Sequence, residues 1–246
     1  MSDTIPLLIA DAGSDDPACH AVLGALRLPA LQGLLAALPP PQRTAQPEGA
    51  LNTPLEYAQA QALGLAPGPG GIPWGAWLAA RNGFAAGAEQ AWAVVTPCHW
   101  EIGTGQVTLQ DPAALQLDRA EADALVAAMA PYFAEDGLAL HVLQPGTWLA
   151  CGEPLRGLAC ASTARVQGEN LRDFLPASPL LRRLQNEMQM LLYHHGVNTA
   201  REARRQQVVN ALWFSGGGPA PTGAEPPPPV RVDALSASAQ RQDWPA

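Results

Sequence analysis

Short apolar runs bounded by turn residues predict the β-strands of this chain. The first run, Ile5 to Ala10, predicts a buried strand, and the polar segment Asp11 to Asp16 follows it directly. In open α/β sheets, binding sites lie beyond the carboxyl ends of the strands, so this segment is a candidate site. Five further strands are predicted over Ala91 to Thr96, Gln106 to Leu109, Leu138 to Leu143, Thr147 to Ala150 and Val208 to Phe214. We expect the Gln106 strand to pair with the Ala91 strand across the turn at Gly103 to Gly105.

Capping residues and apolar positions at helical spacing predict the helices. Thr53 with Glu56, and Asp118 with Glu121, each form the pattern of a capping box at a helix start. Helices are predicted over Pro17 to Leu26 and Pro29 to Leu38, and after Thr53, Asp118 and Ser178. The last of these has the clearest apolar stripe, made of Leu180, Leu181, Leu184, Met188, Leu191 and Leu192. Together these elements predict an α/β fold with a mixed sheet and flanking helices.

The chain is expected to end in a disordered tail. From Gly216 onward it has 31 residues, seven of them proline, and almost no large apolar side chain apart from Leu235 and Trp244. Such a segment cannot bury enough surface to offset the entropy of ordering it. We therefore predict one α/β domain over residues 1–218 and a disordered proline-rich tail over residues 219–246. The run Gly216 to Gly218 lacks the Lys-Ser/Thr of a phosphate loop and is interpreted as a flexible exit to the tail.

Composition and charge limit the classes of partner. Charged residues make up 15% of the chain and apolar residues 48%, which fits a globular protein. All fourteen cations are arginine, and the net charge of −8 argues against a nucleic acid or an anionic membrane as the main partner. The longest apolar run, Ala124 to Ala134, is far shorter than the ~20 residues that cross a bilayer. The N-terminus has no signal-peptide pattern, so we predict a cytoplasmic protein.

The polar segment after the first predicted strand holds the best candidate metal ligands. Asp16 and His20 are four residues apart and share one face if a helix begins at Pro17, while Asp11 directly follows the strand. A simpler interpretation is that Asp15 or Asp16 caps that helix and His20 is a surface side chain. The first interpretation allows a divalent metal ion, and neither requires a cofactor.

The cysteines give little sign of catalytic or metal chemistry. Cys19, Cys98, Cys151 and Cys160 include no CxxC pair. Cys98 and His99 could supply a thiolate and a base, but adjacent residues of an extended strand point to opposite faces. A packed, unreactive Cys98 is therefore the favoured interpretation.

The segment after the long helix carries residues suited to an anion. Asn198, Arg201 and Arg204 follow one another closely, and guanidinium groups bind pairs of phosphate or carboxylate oxygens. We predict these three residues as the substrate-binding set for a small phosphorylated or carboxylate ligand. A short helix rich in Arg and Glu is also common as a solvated surface, and the sequence leaves both interpretations open.

Three separated segments carry a family resemblance. Leu7 to Gly13 is a strand that runs into Asp11, and Asn52 to Ala58 contains Thr-Pro-Leu-Glu. His195 to Gly218 contains His-Gly-Val-Asn, spaced arginines and Asn-Ala-Leu-Trp-Phe-Ser-Gly-Gly-Gly. These segments resemble the archaeal-type cofactor-independent phosphoglycerate mutases of the alkaline-phosphatase superfamily. About residues 91–175 resemble the inserted, substrate-side part of that family.

The resemblance implies a truncated member of the family. A family mutase moves a phosphoryl group through a phosphorylated serine and two metal ions, and most of its metal ligands lie beyond the Trp-x-x-Gly-x-Gly strand. There this chain has only its tail, and the segment between Tyr57 and Trp92 contains no serine. The resemblance extends to a shortened bacterial group described as phosphoglycerate mutase or as the Rpf type E regulatory protein, through the strings Thr96 to Trp100 and Gln189 to Tyr193.

Three hypotheses of function come out of the sequence. The first is a degenerate, non-catalytic phosphoglycerate-mutase-like protein with a binding or regulatory role. The second is a metal-dependent phosphomutase or phosphohydrolase that uses Asp11 with further ligands. The third is a scaffold that recruits a protein partner through its proline-rich tail, or through Trp74 and Trp77 on a predicted helix.

Overall fold

The computed structural model describes residues 17–39, 49–84 and 90–219. The chain divides into two compact units, one made of Met1–Ala45 with Pro229–Ala246 and the other of Gln46–Pro228. The predicted strand at Ile5 to Ala10 lies outside the described residues, and so does the predicted tail from residue 220 onward.

The described part of the first unit consists of two short helices, α1 (Pro17–Ala25) and α2 (Pro29–Ala37). Proline at the start of α2 costs no hydrogen bond, because the first backbone N–H groups of a helix have no partner within it. The two helices predicted here are confirmed.

The second unit contains the other described elements. Its helices are α3 (Pro54–Ala62), α4 (Trp74–Arg81), α5 (Arg119–Glu135), α6 (Thr163–Val166), α7 (Pro179–Tyr193) and α8 (Gly196–Ala203). Its strands are β1 (Ala91–Cys98), β2 (Trp100–Ile102), β3 (Val107–Leu109), β4 (Ala139–Gln144), β5 (Thr147–Cys151) and β6 (Ala211–Pro219). Short 3-10 helices cover Pro112–Leu115, Glu153–Leu155 and Leu171–Phe174. Across the described ranges, no helix combines the length and the apolar character needed to span a membrane.

Four strands form the main sheet in the order β4-β5-β1-β6. The predicted α/β fold with helices flanking a sheet is confirmed. The three neighbouring pairs are all antiparallel, so the described sheet is antiparallel rather than mixed as the sequence suggested. The two-residue connection between β4 and β5 joins antiparallel neighbours directly, whereas a parallel pair needs a long crossover.

Strand β1 is buried on both faces because helices cover both sides of the sheet. On one face, α5 and α7 pack their apolar stripes against the strands, and Phe133 of α5 stacks on Phe214 of β6 at a ring-centroid distance of 6.2 Å. All six residues of the stripe predicted for the helix after Ser178 belong to this core or pack against it, which confirms that prediction.

On the other face, α4 and a loop approach the backbone of the sheet closely. A Cβ atom on Gly75 of α4 would come within 2.6 Å of the Cα atom of Ala93 in β1. A Cβ atom on Gly217 of β6 would come within 2.7 Å of the Cβ atom of Leu158. Gly216 to Gly218 are therefore buried strand residues, and the prediction that they form a flexible exit was wrong. Glycine is needed at positions 75 and 217 because the backbone of Ala93 and the side chain of Leu158 lie too close for a larger residue.

Strands β2 and β3 form a separate hairpin in which Trp100 lies opposite Leu109 and Ile102 opposite Val107. We expected the Gln106 strand to pair with β1, and this was wrong. Strand β1 is bonded along both edges, by β5 and by β6, so it has no free edge for a third neighbour.

Both predicted capping boxes are present. The Glu56 N–H donates to Thr53 Oγ1 at 3.3 Å, and the Thr53 N–H donates to Glu56 Oε2 at 2.7 Å. At the start of α5, the Glu121 N–H donates to Asp118 Oδ1 at 2.8 Å and the Asp118 N–H to Glu121 Oε2 at 3.3 Å. Local sequence chemistry therefore fixes where these two helices begin.

Replacing Asp118 with alanine should lower the free energy of unfolding by about 1 kcal/mol, because the first turn of α5 loses its side-chain acceptor. Urea unfolding followed by circular dichroism measures the change. The control is Asp123→Ala on the same helix, where an exposed carboxylate pairs with Arg119. This control should change stability by less than about 0.5 kcal/mol. Equal losses in the two variants would contradict a capping role for Asp118.

Candidate functional site

The predicted anion-binding arginine, Arg201, lies inside the protein and has internal partners. Its side chain is 1% exposed. Its Nε donates to the Gln207 carbonyl at 2.7 Å, and its Nη1 donates to Glu121 Oε2 at 2.6 Å. Its Nη2 donates to the carbonyl of Leu115. The guanidinium group therefore joins α8 to the start of α5 and to the 3-10 helix before it.

Asn198, one turn earlier on α8, is also engaged by the backbone. Its Nδ2 donates to the carbonyls of Leu192 at 2.8 Å and Val209 at 2.6 Å, and its Oδ1 accepts from the Val209 N–H at 3.0 Å. The carboxamide thereby fixes the segment that leads into β6 against the end of α7. The Asn residue of the His-Gly-Val-Asn string is thus a structural clamp in this chain.

The third predicted residue, Arg204, lies at the surface. Its side chain is 53% exposed, and its Nη2 donates to Glu121 Oε1 at 2.6 Å. The structure thus brings Arg201 and Arg204 together on one carboxylate, with Asn198 nearby on the same helix. Binding of a phosphorylated or carboxylate ligand by these residues stays a prediction.

The predicted metal ligands lie largely outside the residues that the structure describes. Asp11 and Asp16 lie outside the described residues, and so does the side chain of His20, whose backbone belongs to α1. Within the ranges that the structure describes, no group of three or more His, Cys, Asp and Glu residues could hold a metal ion. The metal site at Asp11, Asp16 and His20 stays a prediction.

The described cysteines are packed in the interior. Cys98 is fully buried at the end of β1 and its thiol donates to the Ala211 carbonyl at 3.4 Å, which confirms the prediction of a packed side chain. His99 makes a separate contact, from Nδ1 to the Val208 carbonyl at 2.9 Å. Burial raises the pKa of the Cys98 thiol far above its ordinary value and that of Cys160 to about 12. Both thiols are thus held in the protonated form that does not act as a nucleophile.

The raised thiol pKa values predict a loss of stability at high pH. The folded state favours protonated Cys160, so its stabilising contribution is complete below the ordinary pKa of about 9 and declines as the pH rises toward about 12. Urea unfolding at pH 7 and at pH values above 9 measures the decline. We expect it to be smaller in Cys160→Ala than in the wild type. An identical pH dependence in the two proteins would contradict the assignment.

The second unit contains a groove that the sequence did not predict. A cavity of about 490 Å³ lies between the β2–β3 hairpin, the 3-10 helix Leu171–Phe174, the carboxyl-terminal half of α7, and α8. Its apolar lining includes Trp100, Ile102, Val107, Leu171, Met190 and Tyr193. This volume falls within the range of roughly 300–1,000 Å³ that is usual for ligand sites.

Side-chain amides hold the walls of this groove in place. The carboxamide of Asn210, which leads into β6, accepts from the Trp100 N–H at 2.7 Å and donates to the Trp100 carbonyl at 2.9 Å. Asn170 accepts from the Val107 N–H at 3.3 Å and thereby joins β3 to the neighbouring 3-10 helix. Trp100 packs edge-on against Trp213 at a centroid distance of 6.2 Å. The hairpin is therefore firmly attached to the main sheet.

Large apolar side chains at the rim of the groove are exposed. Ile102 is 83% exposed, Met190 67% and Tyr193 79%. Met190 and Tyr193 are three residues apart on α7, outside its buried stripe, and so lie on one face of the helix. Two large apolar residues three apart on α7, outside its buried stripe, are a signal in the sequence that could have indicated an exposed apolar surface here.

The predicted aromatic pair on α4 has a different environment. The rings of Trp74 and Trp77 meet edge to face at 5.6 Å, and both residues are half-buried. Arg81 lies over the Trp77 ring at 5.0 Å from its centroid. Neither tryptophan is among the exposed large apolar side chains of the described residues.

Comparison with known proteins gives a distant structural likeness. No protein-family model and no curated protein matches the chain. The PH0037 protein from Pyrococcus horikoshii matches 67% of the chain and 37% of its own length, at 16% identity and a TM-score of 0.42. A cofactor-independent phosphoglycerate mutase from Thermoplasma acidophilum matches 59% of the chain and 41% of its own length, at 16% identity and a TM-score of 0.46. The chain thus covers about two fifths of the length of these structures.

Proposed function

We propose that this chain is a non-catalytic binding protein that takes a segment of a partner protein into the groove between the β2–β3 hairpin and α7. The observation that carries the proposal is the continuity of the apolar cavity with exposed Ile102, Met190 and Tyr193 at its rim. A contiguous exposed apolar surface of this kind marks an interaction site in soluble proteins.

The rim favours a protein partner over a small molecule. Small-molecule pockets enclose most of the ligand and concentrate their apolar groups inside the cavity. Here, three of the apolar side chains that line the cavity, Ile102, Met190 and Tyr193, are largely exposed at its rim, and a partner that extends along the rim would cover them. Tyr, Trp and Met are also the residue types that are enriched in protein interfaces.

The contacts of the predicted substrate-binding residues support a binding role over phosphoryl transfer. Arg201 and Asn198 direct their donors at carbonyl and carboxylate oxygens of the fold. A substrate phosphate would have to compete with these buried acceptors, and leaving them unpaired would cost roughly 1–3 kcal/mol each.

Selection of short peptides from a displayed random library against the purified chain tests the proposal. We expect apolar peptides, and we expect Tyr193→Asp to weaken their binding at least about tenfold. The control is Tyr132→Asp, because Tyr132 is a half-exposed tyrosine on α5 that does not line the groove. It should leave binding unchanged.

Two results would contradict the proposal. The first is a failure to select any peptide whose binding depends on Tyr193. The second is turnover of a phosphomonoester by the purified chain that is abolished by Asp11→Asn, which would instead support the metal-dependent enzyme.

A further inference from the structure

The outer edge of β2 has one open backbone position at the groove. Hydrogen-bonding direction alternates along an antiparallel strand, so every second residue points its N–H and C=O away from its partner strand. The His99 carbonyl accepts from the Gln110 N–H at 3.0 Å, and the Gly103 N–H donates to the Gln106 carbonyl at 2.9 Å. The bonded backbone groups of His99 and Gly103 therefore point toward β3. The backbone N–H and C=O groups of Trp100 and Ile102, which alternate with them, point away from β3.

The outward direction is confirmed on both strands of the hairpin. The N–H and the carbonyl of Trp100 bond the Asn210 carboxamide outside the hairpin. Val107, which lies opposite Ile102, directs its N–H outward to Asn170. The backbone N–H and C=O of Ile102 therefore point away from β3, as those of Trp100 do. Within the described residues, its N–H and C=O have no hydrogen-bond partner.

The Asn210 side chain acts as one residue of a neighbouring strand. It offers Trp100 one acceptor and one donor, as a backbone unit of an added strand would do. The next position along this line is opposite Ile102, where no described residue bonds the backbone. An unpaired strand edge of this kind is a template for an incoming strand.

The apolar side chains of the hairpin also face the groove in which an added strand would lie. Trp100 and Ile102 are two residues apart, so they project from one face of the hairpin, and Val107 projects from that face opposite Ile102. All three line the groove. A strand added beside Ile102 would direct alternate side chains over this apolar face, toward Met190 and Tyr193 on α7.

We propose that the partner binds as an extended segment that pairs with the backbone of Ile102 and places alternate apolar side chains in the groove. This inference rests on the proposed function, and it specifies the partner as a strand-forming peptide rather than a helix. The pairing residue of the partner needs a free N–H, so proline is excluded at that position.

An N-methyl scan of the selected peptides tests the inference on the unaltered protein. N-methylation removes one backbone donor at a time. We expect binding to weaken at least about tenfold at the residue that pairs with Ile102, and to change little at its two neighbours, whose N–H groups point away. A uniform response along the peptide, or stronger binding after helix-favouring substitutions, would overturn the inference.

Two variants of the protein test the same contact from its other side. Ile102→Pro removes the N–H at a strand edge, where proline is tolerated. Ile102→Ala keeps the N–H and removes the side chain. We expect the proline variant to bind the selected peptides at least about tenfold more weakly than the alanine variant, with both folded by circular dichroism. Equal binding by the two folded variants would overturn the inference.

The outcomes separate this inference from the proposed function. Peptides whose binding depends on Tyr193 but not on the N–H of Ile102 would leave the groove as the binding site and exclude pairing at β2. If no selected peptide depends on Tyr193, the proposed function fails, and the pairing at Ile102 fails with it.

Discussion

Replacing Arg201 with alanine should lower the free energy of unfolding by about 3–5 kcal/mol. The buried guanidinium group bonds the carbonyls of Gln207 and Leu115 and the carboxylate of Glu121. Its removal leaves two carbonyl oxygens without this donor and takes a cation from a carboxylate that is 12% exposed. Urea unfolding followed by circular dichroism measures the loss.

Arg204→Ala is the matched control for this prediction. Arg204 bonds the other oxygen of the same carboxylate at 2.6 Å, but its side chain is 53% exposed. Its removal should cost less than about 1 kcal/mol, because water replaces the lost contact. Losses below about 1 kcal/mol in both variants would contradict the structural role of Arg201 and favour the anion-binding role that the sequence predicted.

Replacing Gly75 with alanine should lower the free energy of unfolding by about 1–3 kcal/mol. The added Cβ atom would come within 2.6–2.7 Å of three backbone atoms of Ala93, in the central strand β1. Alanine is intrinsically the better helix residue by roughly 1 kcal/mol, so propensity alone would give a gain. We expect the contact to outweigh this gain, because neither β1 nor α4 can move away without disturbing the packing on both sides. Thermal or urea unfolding measures the change.

Gly196→Ala provides the control for Gly75. Gly196 lies at the start of α8, and a Cβ atom there would meet no atom within 4 Å. We expect this variant to be neutral or slightly stabilised. If Gly75→Ala were equally well tolerated, α4 would not be held against β1 as closely as the structure has it.

The parts of the fold that the sequence predicted well depend on local chemistry. The capping boxes at Thr53 and Asp118 involve residues three apart, and the stripe of α7 repeats every three or four residues, so both can be seen in short windows of sequence. The pairing of β3 could not be predicted in this way. It depends on β1 being already bonded by β5 and β6, which come later in the chain.

The candidate site was harder to predict because its residues are distant in sequence. Arg201 was predicted to bind an anion, with a solvated surface residue as the alternative, and its contact with Glu121, 80 positions away in sequence, instead joins it to the interior of the protein. The groove draws Trp100, Leu171 and Met190 from three separate elements. Their proximity is a result of tertiary packing, and no local pattern encodes it.

A titration with a selected peptide, followed by the backbone amide signals of the isotope-labelled chain, locates the binding site most directly. We predict that the shifted signals will cluster at Ile102, Met190 and Tyr193, around the groove. Shifts that instead cluster at Arg201 and Arg204 or in the segment around Asp11, with the signals of Ile102, Met190 and Tyr193 unchanged, would contradict binding in the groove.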